Sequence, residues 1–278
     1  MTVAIELTPF FLPGTAGRLF AVHLRPAAVP APGEAVLLVP PLHEEMNKSR
    51  PMLAAQARRF ASLGLSVLML DPYGTGDSEG EFGEASLEQW IQDLAAGSRW
   101  LRETGAQVVH LWAARAGALL LAPLLAIETH PGAVLTLWQP VLTGKQLVTQ
   151  WLRLRIASET GRERGESSES LRRQLEDEGR LEIGGYELSA RLVAALEPCR
   201  LDAALAADWR GIAWFDVAAS PLPASERALA PLRTRGMPLV YEALPGEPFW
   251  GTPEIARLPE LLEATSRSFA QLRDGGAP

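Results

Sequence analysis

The chain has one cysteine, Cys199, among 278 residues, so no internal disulfide can form. A lone cysteine in a chain of this kind reads as a small buried side chain in a reducing compartment, not as a catalytic thiol. Lysine occurs twice, as Lys48 and Lys145, in a chain that otherwise uses arginine, and both lie in loops that carry motifs. Long apolar runs are missing. The longest, residues 116–127, is about 12 residues, contains Gly117 and Pro123, and falls short of the ~20 needed to span a bilayer. The opening MTVAIELTPFFLPG has no basic start before an apolar run, so a secretory leader is not expected and a cytoplasmic location is. Positive charge is also short. A net charge of −7 argues against general nucleic-acid binding and leaves binding of an anion at a single site open. There is no H-x-x-x-H pair and no Asp-rich calcium pattern, so neither metal nor cofactor is expected. Internal repeats are absent as well.

What is present is a globular composition, 47% hydrophobic and 21% charged. Alternation predicts two strands at 3–11 and 18–24 around the turn 13–17, followed by a Pro/Ala stretch at 26–33. Continuous apolar runs predict strands at 35–39, 65–70, 108–112, 133–138, 212–217 and 238–243, as in a sheet covered on both faces. Between them, a helix is expected at 50–63, capped by Ser49, with Pro51 in its first turn and Gly64 at its end. A second follows the capping box 86–89, a third covers 116–127, and a last one covers 254–272 before a frayed tail at 273–278. From 141 to 207 the texture changes. A helix at 146–157 precedes a charge-dense run at 162–180, read as a solvated face. An extended piece at 181–186 and a helix from Ser189 to about Leu196 follow. Trp151, Leu152 and Ile156 at helical spacing read as core rather than as a lipid groove. The fold class expected is α/β: a mostly parallel sheet flanked by helices, with a core of residues 1–140 and 208–278 and a helical cap insertion at 141–207.

Residues 108–121, VVHLWAARAGALLL, carry the most information. A strand stops at small residues, turns through Ala113-Ala114-Arg115-Ala116-Gly117 and enters an apolar helix. This strand–turn–helix resembles the nucleophile elbow G-x-S-x-G of α/β-hydrolases, with Ala113 for the first glycine and Arg115 for the serine. Arginine stays protonated, so it can neither attack a carbonyl nor accept a proton. Directly after strand 65–70, Asp71-Pro72-Tyr73-Gly74-Thr75-Gly76-Asp77-Ser78 resembles the D-x-x-G-x-G-x-S turn of the same superfamily. More narrowly, Pro40-Pro41-Leu42-His43-Glu44-Glu45-Met46-Asn47-Lys48-Ser49-Arg50 resembles the P-P-x-x-E-E-M-N-K-x-R stretch of hydrolase-like proteins associated with exosortase systems. Leu137-Trp138-Gln139-Pro140-Val141 with Gly144-Lys145-Gln146, and an elbow with arginine in place of serine, are similar to that family too. The resemblance covers about residues 35–260. It implies an α/β-hydrolase fold and a setting in bacterial exopolysaccharide export and protein sorting, with envelope export or sorting components as partners. It does not fix a reaction.

A Ser-His-acid hydrolase needs a histidine after the last strand and an acid after an earlier one. His23, His43, His110 and His130 all lie elsewhere, and the loop after strand 238–243 reads Leu244-Pro245-Gly246-Glu247-Pro248-Phe249-Trp250. The acid loop, Ala218-Ala219-Ser220-Pro221, has no carboxylate, and Asp216 lies within the strand end. Thr143-Gly144-Lys145 lacks the rest of a phosphate loop. Arg115, above a helix N-terminus, requires a negative partner. That partner is either Glu44, Glu45 or Glu247, plugging the site, or the carboxylate or phosphate of a ligand held in a bidentate fork. The binding candidates are Arg115, Leu42, His43, Glu44, Glu45, Asn47, Lys48, Tyr73, Gln139, Lys145, Glu247 and Trp250. The expectation is a binding protein without Ser-His-Asp catalysis, taking a small anionic ligand or a partner. The alternative is an active hydrolase or acyltransferase with a rebuilt site, using Arg115 as anion stabiliser and Glu44, Glu45 or His43 as base.

Overall fold

The computed structural model describes residues 3–28, 33–252 and 254–275. Parts of the Pro/Ala stretch and of the tail lie outside the described residues. The chain opens with β1 (Ile5–Pro13) and β2 (Arg18–Pro26), an antiparallel pair. Then come β3 (Glu34–Val39), α1 (Glu44–Ser62), β4 (Ser66–Leu70), α2 (Leu87–Glu103), β5 (Val108–Ala114), α3 (Leu121–Leu125) and β6 (Val134–Trp138). Segment 141–207 holds α4 (Gly144–Ala157), α5 (Glu159–Arg164), α6 (Ser168–Glu178), the hairpin β7 (Arg180–Ile183) and β8 (Tyr186–Ser189), α7 (Ala190–Leu196) and α8 (Leu201–Leu205). β9 (Gly211–Val217), α9 (Pro223–Thr234), β10 (Leu239–Leu244) and α10 (Pro259–Arg273) complete the described order.

Eight strands form one sheet in the order β1-β2-β4-β3-β5-β6-β9-β10. From β4 to β10 neighbouring strands run parallel, and β2 joins β4 antiparallel. Strands buried on both faces carry apolar residues in both alternating registers. In β5, Val109, Leu111 and Ala113 enter one core cluster, while Trp112 and Ala114 enter the other. The second face is covered by α1 and α10, where Phe60, Trp112, Trp138 and Phe269 are fully buried and meet edge-on at 4.9–5.5 Å. Each such side chain contributes roughly 1.5–3 kcal/mol through burial.

The first face is covered by α2, α3 and α9, and also by the 141–207 segment. Its Leu147, Trp151, Leu171, Leu181, Ile183 and Leu192 belong to the same buried cluster as Leu111 and Leu135. The two ends of the segment pair with each other. Thr143 bridges Arg200, Gly144 N–H donates to the Cys199 carbonyl at 2.8 Å, and Leu201 N–H donates to the Leu142 carbonyl at 3.0 Å. A Cβ on Gly144 would lie 1.7 Å from the Leu196 carbonyl oxygen. Close approach of two backbones therefore explains this glycine, with no phosphate loop required. Trp151 and Leu152 are buried core residues, as expected. The charge-dense run becomes α5 and α6, with Leu171 and Leu175 facing inward.

Four local expectations fail. The last helix starts at Pro259, not at 254, and the extended piece expected at 181–186 is a hairpin turning at Gly184-Gly185. The first helix starts at Glu44, not near residue 50, so Ser49 lies buried inside it and caps nothing, and Pro51 is interior. Glu44 and Glu45 in the first turn favour the earlier start by complementing the helix dipole. The helix expected at 116–127 divides into a 3-10 turn, Arg115–Leu120, and the short α3. Pro123 falls at the third position of α3, where its missing N–H would have had no partner within the helix.

Candidate functional site

Strands β3, β5 and β6 end side by side at the carboxyl edge of the sheet. The residues leaving them are where the backbone is strained. Among the described residues, the non-glycine positions with positive φ are His43 (62°), Arg115 (52°) and Gln139 (40°), one after each of these strands. Each such conformation costs about 1–3 kcal/mol and collects where a site is built. At the elbow, Gly117 is required because a Cβ there would lie 2.4 Å from the carbonyl oxygens of Val39 and Pro40. Ala113 is fully buried where the usual motif has glycine.

Arg115 is 8% exposed and enclosed. Its Nε and one terminal nitrogen donate to Glu45 Oε2 and Oε1 at 3.1 and 2.8 Å, a bidentate fork. Its other terminal nitrogen donates to the Gln139 carbonyl at 3.0 Å. The guanidinium carbon stands 4.5 Å from the centroid of the Trp250 ring, a cation–π contact. Trp250 comes from the loop after β10, where a hydrolase's histidine would be. It is held by Phe249, which is buried against Trp138. Gln139 is itself a brace: its N–H donates to the Phe215 carbonyl at 2.7 Å, and its Oε1 accepts from Val217 N–H at 2.6 Å, tying β6 to β9. An arginine at the start of a helical turn is unfavourable alone, and Glu45 in the first turn of α1 offsets it.

The other expected residues have different partners. Glu44 pairs with Lys48 at 2.8 Å, and Glu247 is exposed, so neither is the counter-ion of Arg115. Asn47 donates to the Tyr186 hydroxyl at 2.9 Å, and Tyr73 donates to Glu84 at 3.2 Å. Lys145 is exposed on the first turn of α4, and Leu42 is buried in the core. His43 is buried beside Tyr186, Trp151 and Phe82, with ring centroids 4.5, 5.5 and 5.8 Å away. Its Nε2 lies 2.8 Å from the Ile183 carbonyl of the hairpin. A carbonyl only accepts, so the proton is on Nε2. Burial pushes the imidazole down to about 4.

Asp216 is buried at the end of β9, where both its oxygens are occupied. Oδ1 accepts from Trp214 Nε1 at 2.9 Å, and Oδ2 accepts from the Tyr241 hydroxyl at 2.8 Å. Tyr241 in turn accepts from Leu222 N–H, and burial together with Asp216 pushes it up to about 12. Sequence reading missed this pair because the two residues lie on different strands. It also missed Asp93, whose Oδ2 accepts from Tyr73 N–H at 2.9 Å while Oδ1 is buried without a partner. Burial raises this carboxyl to about 6. Asp71, of the glycine-rich turn, accepts both ways from Arg50 at 3.0 Å. No group of three or more His, Cys, Asp or Glu among the described residues could hold a metal ion, and no described helix is long and apolar enough to cross a membrane.

Compared by sequence, the chain matches no family model and no curated protein. Compared by structure, it is similar to the esterase Est1E from Butyrivibrio proteoclasticus with bound ferulic acid (TM-score 0.68, 15% identity, 95% of this chain and 98% of that one). It is also similar to an esterase from Pyrobaculum calidifontis (TM-score 0.60, 15% identity, 98% and 87%). An α/β serine hydrolase homologue from Coxiella burnetii is a further match (TM-score 0.51, 17% identity, 94% and 96%). The fold is the α/β-hydrolase fold, as the elbow and the glycine-rich turn implied. At these identities the likeness speaks for architecture alone.

Proposed function

We propose that the chain is a hydrolase-fold binding protein in which an internal ion pair occupies the former reaction centre. The bidentate Arg115–Glu45 pair carries this reading. A cation holds the elbow, the acid position is turned into the β9–β10 packing, and a tryptophan stands where the general base would be. The rebuilt-enzyme alternative is poorly served by these contacts. Both Glu45 oxygens already accept from the guanidinium, Glu44 is paired with Lys48, and His43 is a weak base buried under the hairpin.

Three of the five guanidinium N–H groups of Arg115 are engaged, which leaves two. An anionic ligand or partner group would bind by taking the place of Glu45. Segment 141–207 serves as the cap over the core of 1–140 and 208–278; the pairing of its ends at Thr143 and Arg200 supports this division. The resemblance of residues 40–50 to exosortase-associated proteins supports a role beside envelope export or sorting components in the cytoplasm.

The test is intact-mass analysis after incubation with a fluorophosphonate, alongside thermal shift with carboxylates, phosphates and sugar phosphates. The expected result is no covalent adduct, with any stabilising anion losing its effect in Arg115→Met. Stoichiometric labelling of a serine overturns the reading.

A further inference from the structure

Away from Arg115, a groove of about 1040 Å³ runs between the glycine-rich turn after β4 and the β7–β8 hairpin. It is at the upper end of the size range of ligand sites. Its hairpin wall is fixed by two cross-links: His43 Nε2–H to the Ile183 carbonyl, and Asn47 Nδ2 to the Tyr186 hydroxyl. The site is therefore preformed, which lowers the ordering cost of binding.

The chemistry of the lining excludes most ligand classes. The lining is mostly polar, with Tyr186 and Phe82 as its aromatic members, so an acyl chain finds little to bury against. The two cations are already paired. Arg50 donates to both oxygens of Asp71, and Arg180 lies 3.3 Å from Glu187. Asp77 and Glu81 are exposed and form no ion pair among the described residues. The uncompensated charge is negative, so phosphates, sulfates and uronates are repelled. What remains is a mixture of acceptors (Asp77, Glu81, Asn47 Oδ1) and donors (the Tyr186 hydroxyl hydrogen and unused N–H groups of Arg50 and Arg180). A ligand matching this must be large, must offer both donors and acceptors along its length, and must carry no negative charge.

We propose that the groove binds an uncharged or amino-substituted oligosaccharide. Sugar hydroxyls both donate and accept, and neighbouring hydroxyls suit a carboxylate such as Asp77 or Glu81. This site is separate from the elbow, and the proposal stands whether or not the elbow is catalytic. The test uses the whole chain on an array of neutral, amino-substituted and uronate oligosaccharides, followed by calorimetry with the best tetrasaccharide. A neutral or amino-sugar tetramer is expected to bind. The double variant Asp77→Asn/Glu81→Gln, at exposed positions with the fold checked by melting temperature, is expected to weaken it at least tenfold. Arg115→Met is expected to leave it within twofold. No binding of any neutral or amino-sugar tetramer at millimolar concentration would overturn the proposal. So would a preference for uronates, or binding indifferent to the double variant.

Discussion

Replacing Arg115 by methionine keeps most of the side chain's apolar volume and removes its charge, leaving the Glu45 carboxylate without its partner. Breaking a buried pair costs ~3–5 kcal/mol. The Glu45 side chain is 23% exposed against 10% for Arg115, so water recovers part of the stranded charge and the lower end of that range applies. The hydrogen bond to the Gln139 carbonyl adds ~1 kcal/mol, for a total of about 3–4 kcal/mol. At ~2–4 °C per kcal/mol for a chain of this size, the melting temperature should fall by roughly 10 °C. Glu45→Gln strands the other partner and should cost about 2–3 kcal/mol. The double variant Arg115→Met/Glu45→Met removes both charges and should lie within ~1 kcal/mol of the wild type, because a buried pair replaced by apolar groups is close to neutral. Denaturant unfolding of the four proteins gives the coupling energy directly. A melting temperature unchanged in Arg115→Met, or a double variant as unstable as the sum of the singles, would refute the plug.

Two buried groups should give opposing pH slopes. His43, depressed to about 4, is neutral in the fold, so its contribution is intact above pH 6.5 and is lost as pH falls toward 4, by about 3 kcal/mol. Asp93, raised to about 6, binds a proton more readily folded than unfolded, so its contribution grows as pH falls from 6 to 4, by a similar ~3 kcal/mol. The wild-type profile should be nearly flat between pH 6 and 4. Asp93→Asn should steepen the loss on acidification and gain about 1–2 kcal/mol at pH 7.5; destabilisation at that pH would count against this account. Tyr241→Phe should cost ~1–3 kcal/mol in urea unfolding, because Asp216 Oδ2 and Leu222 N–H both lose their partner. A neutral effect would show that the pair is not formed. Gly117→Ala should lower the melting temperature by several degrees or prevent folding, since its Cβ meets two carbonyl oxygens that cannot move independently of β3; a wild-type melting curve would contradict the elbow geometry.

The sheet was largely legible in the sequence because strands buried on both faces are written as unbroken apolar runs. That signal does not depend on distant residues. The elbow was legible from small residues at fixed spacing, for the steric reason seen at Gly117. The start of α1 was not, because a strained His43 rather than a capping side chain begins it, and Ser49-Pro51 imitates a start inside the helix. For Arg115, the need for a carboxylate and three candidates could be read from the residues alone. Only the register of α1 against the strand ends selects Glu45 and turns Glu44 toward Lys48. The aromatic enclosure of His43 depends on the hairpin folding back over the core, and reading 181–186 as one extended piece hid its turn at Gly184-Gly185.

Ester hydrolysis tests the central claim most directly. Initial rates with short p-nitrophenyl esters at pH 7.5 are compared for equal amounts of wild-type protein and Arg115→Met. The plugged elbow predicts that neither exceeds the buffer rate, because the elbow position carries a paired cation in place of a nucleophile. Turnover in the wild type that disappears in Arg115→Met would contradict it, and would make the arginine part of a working active site.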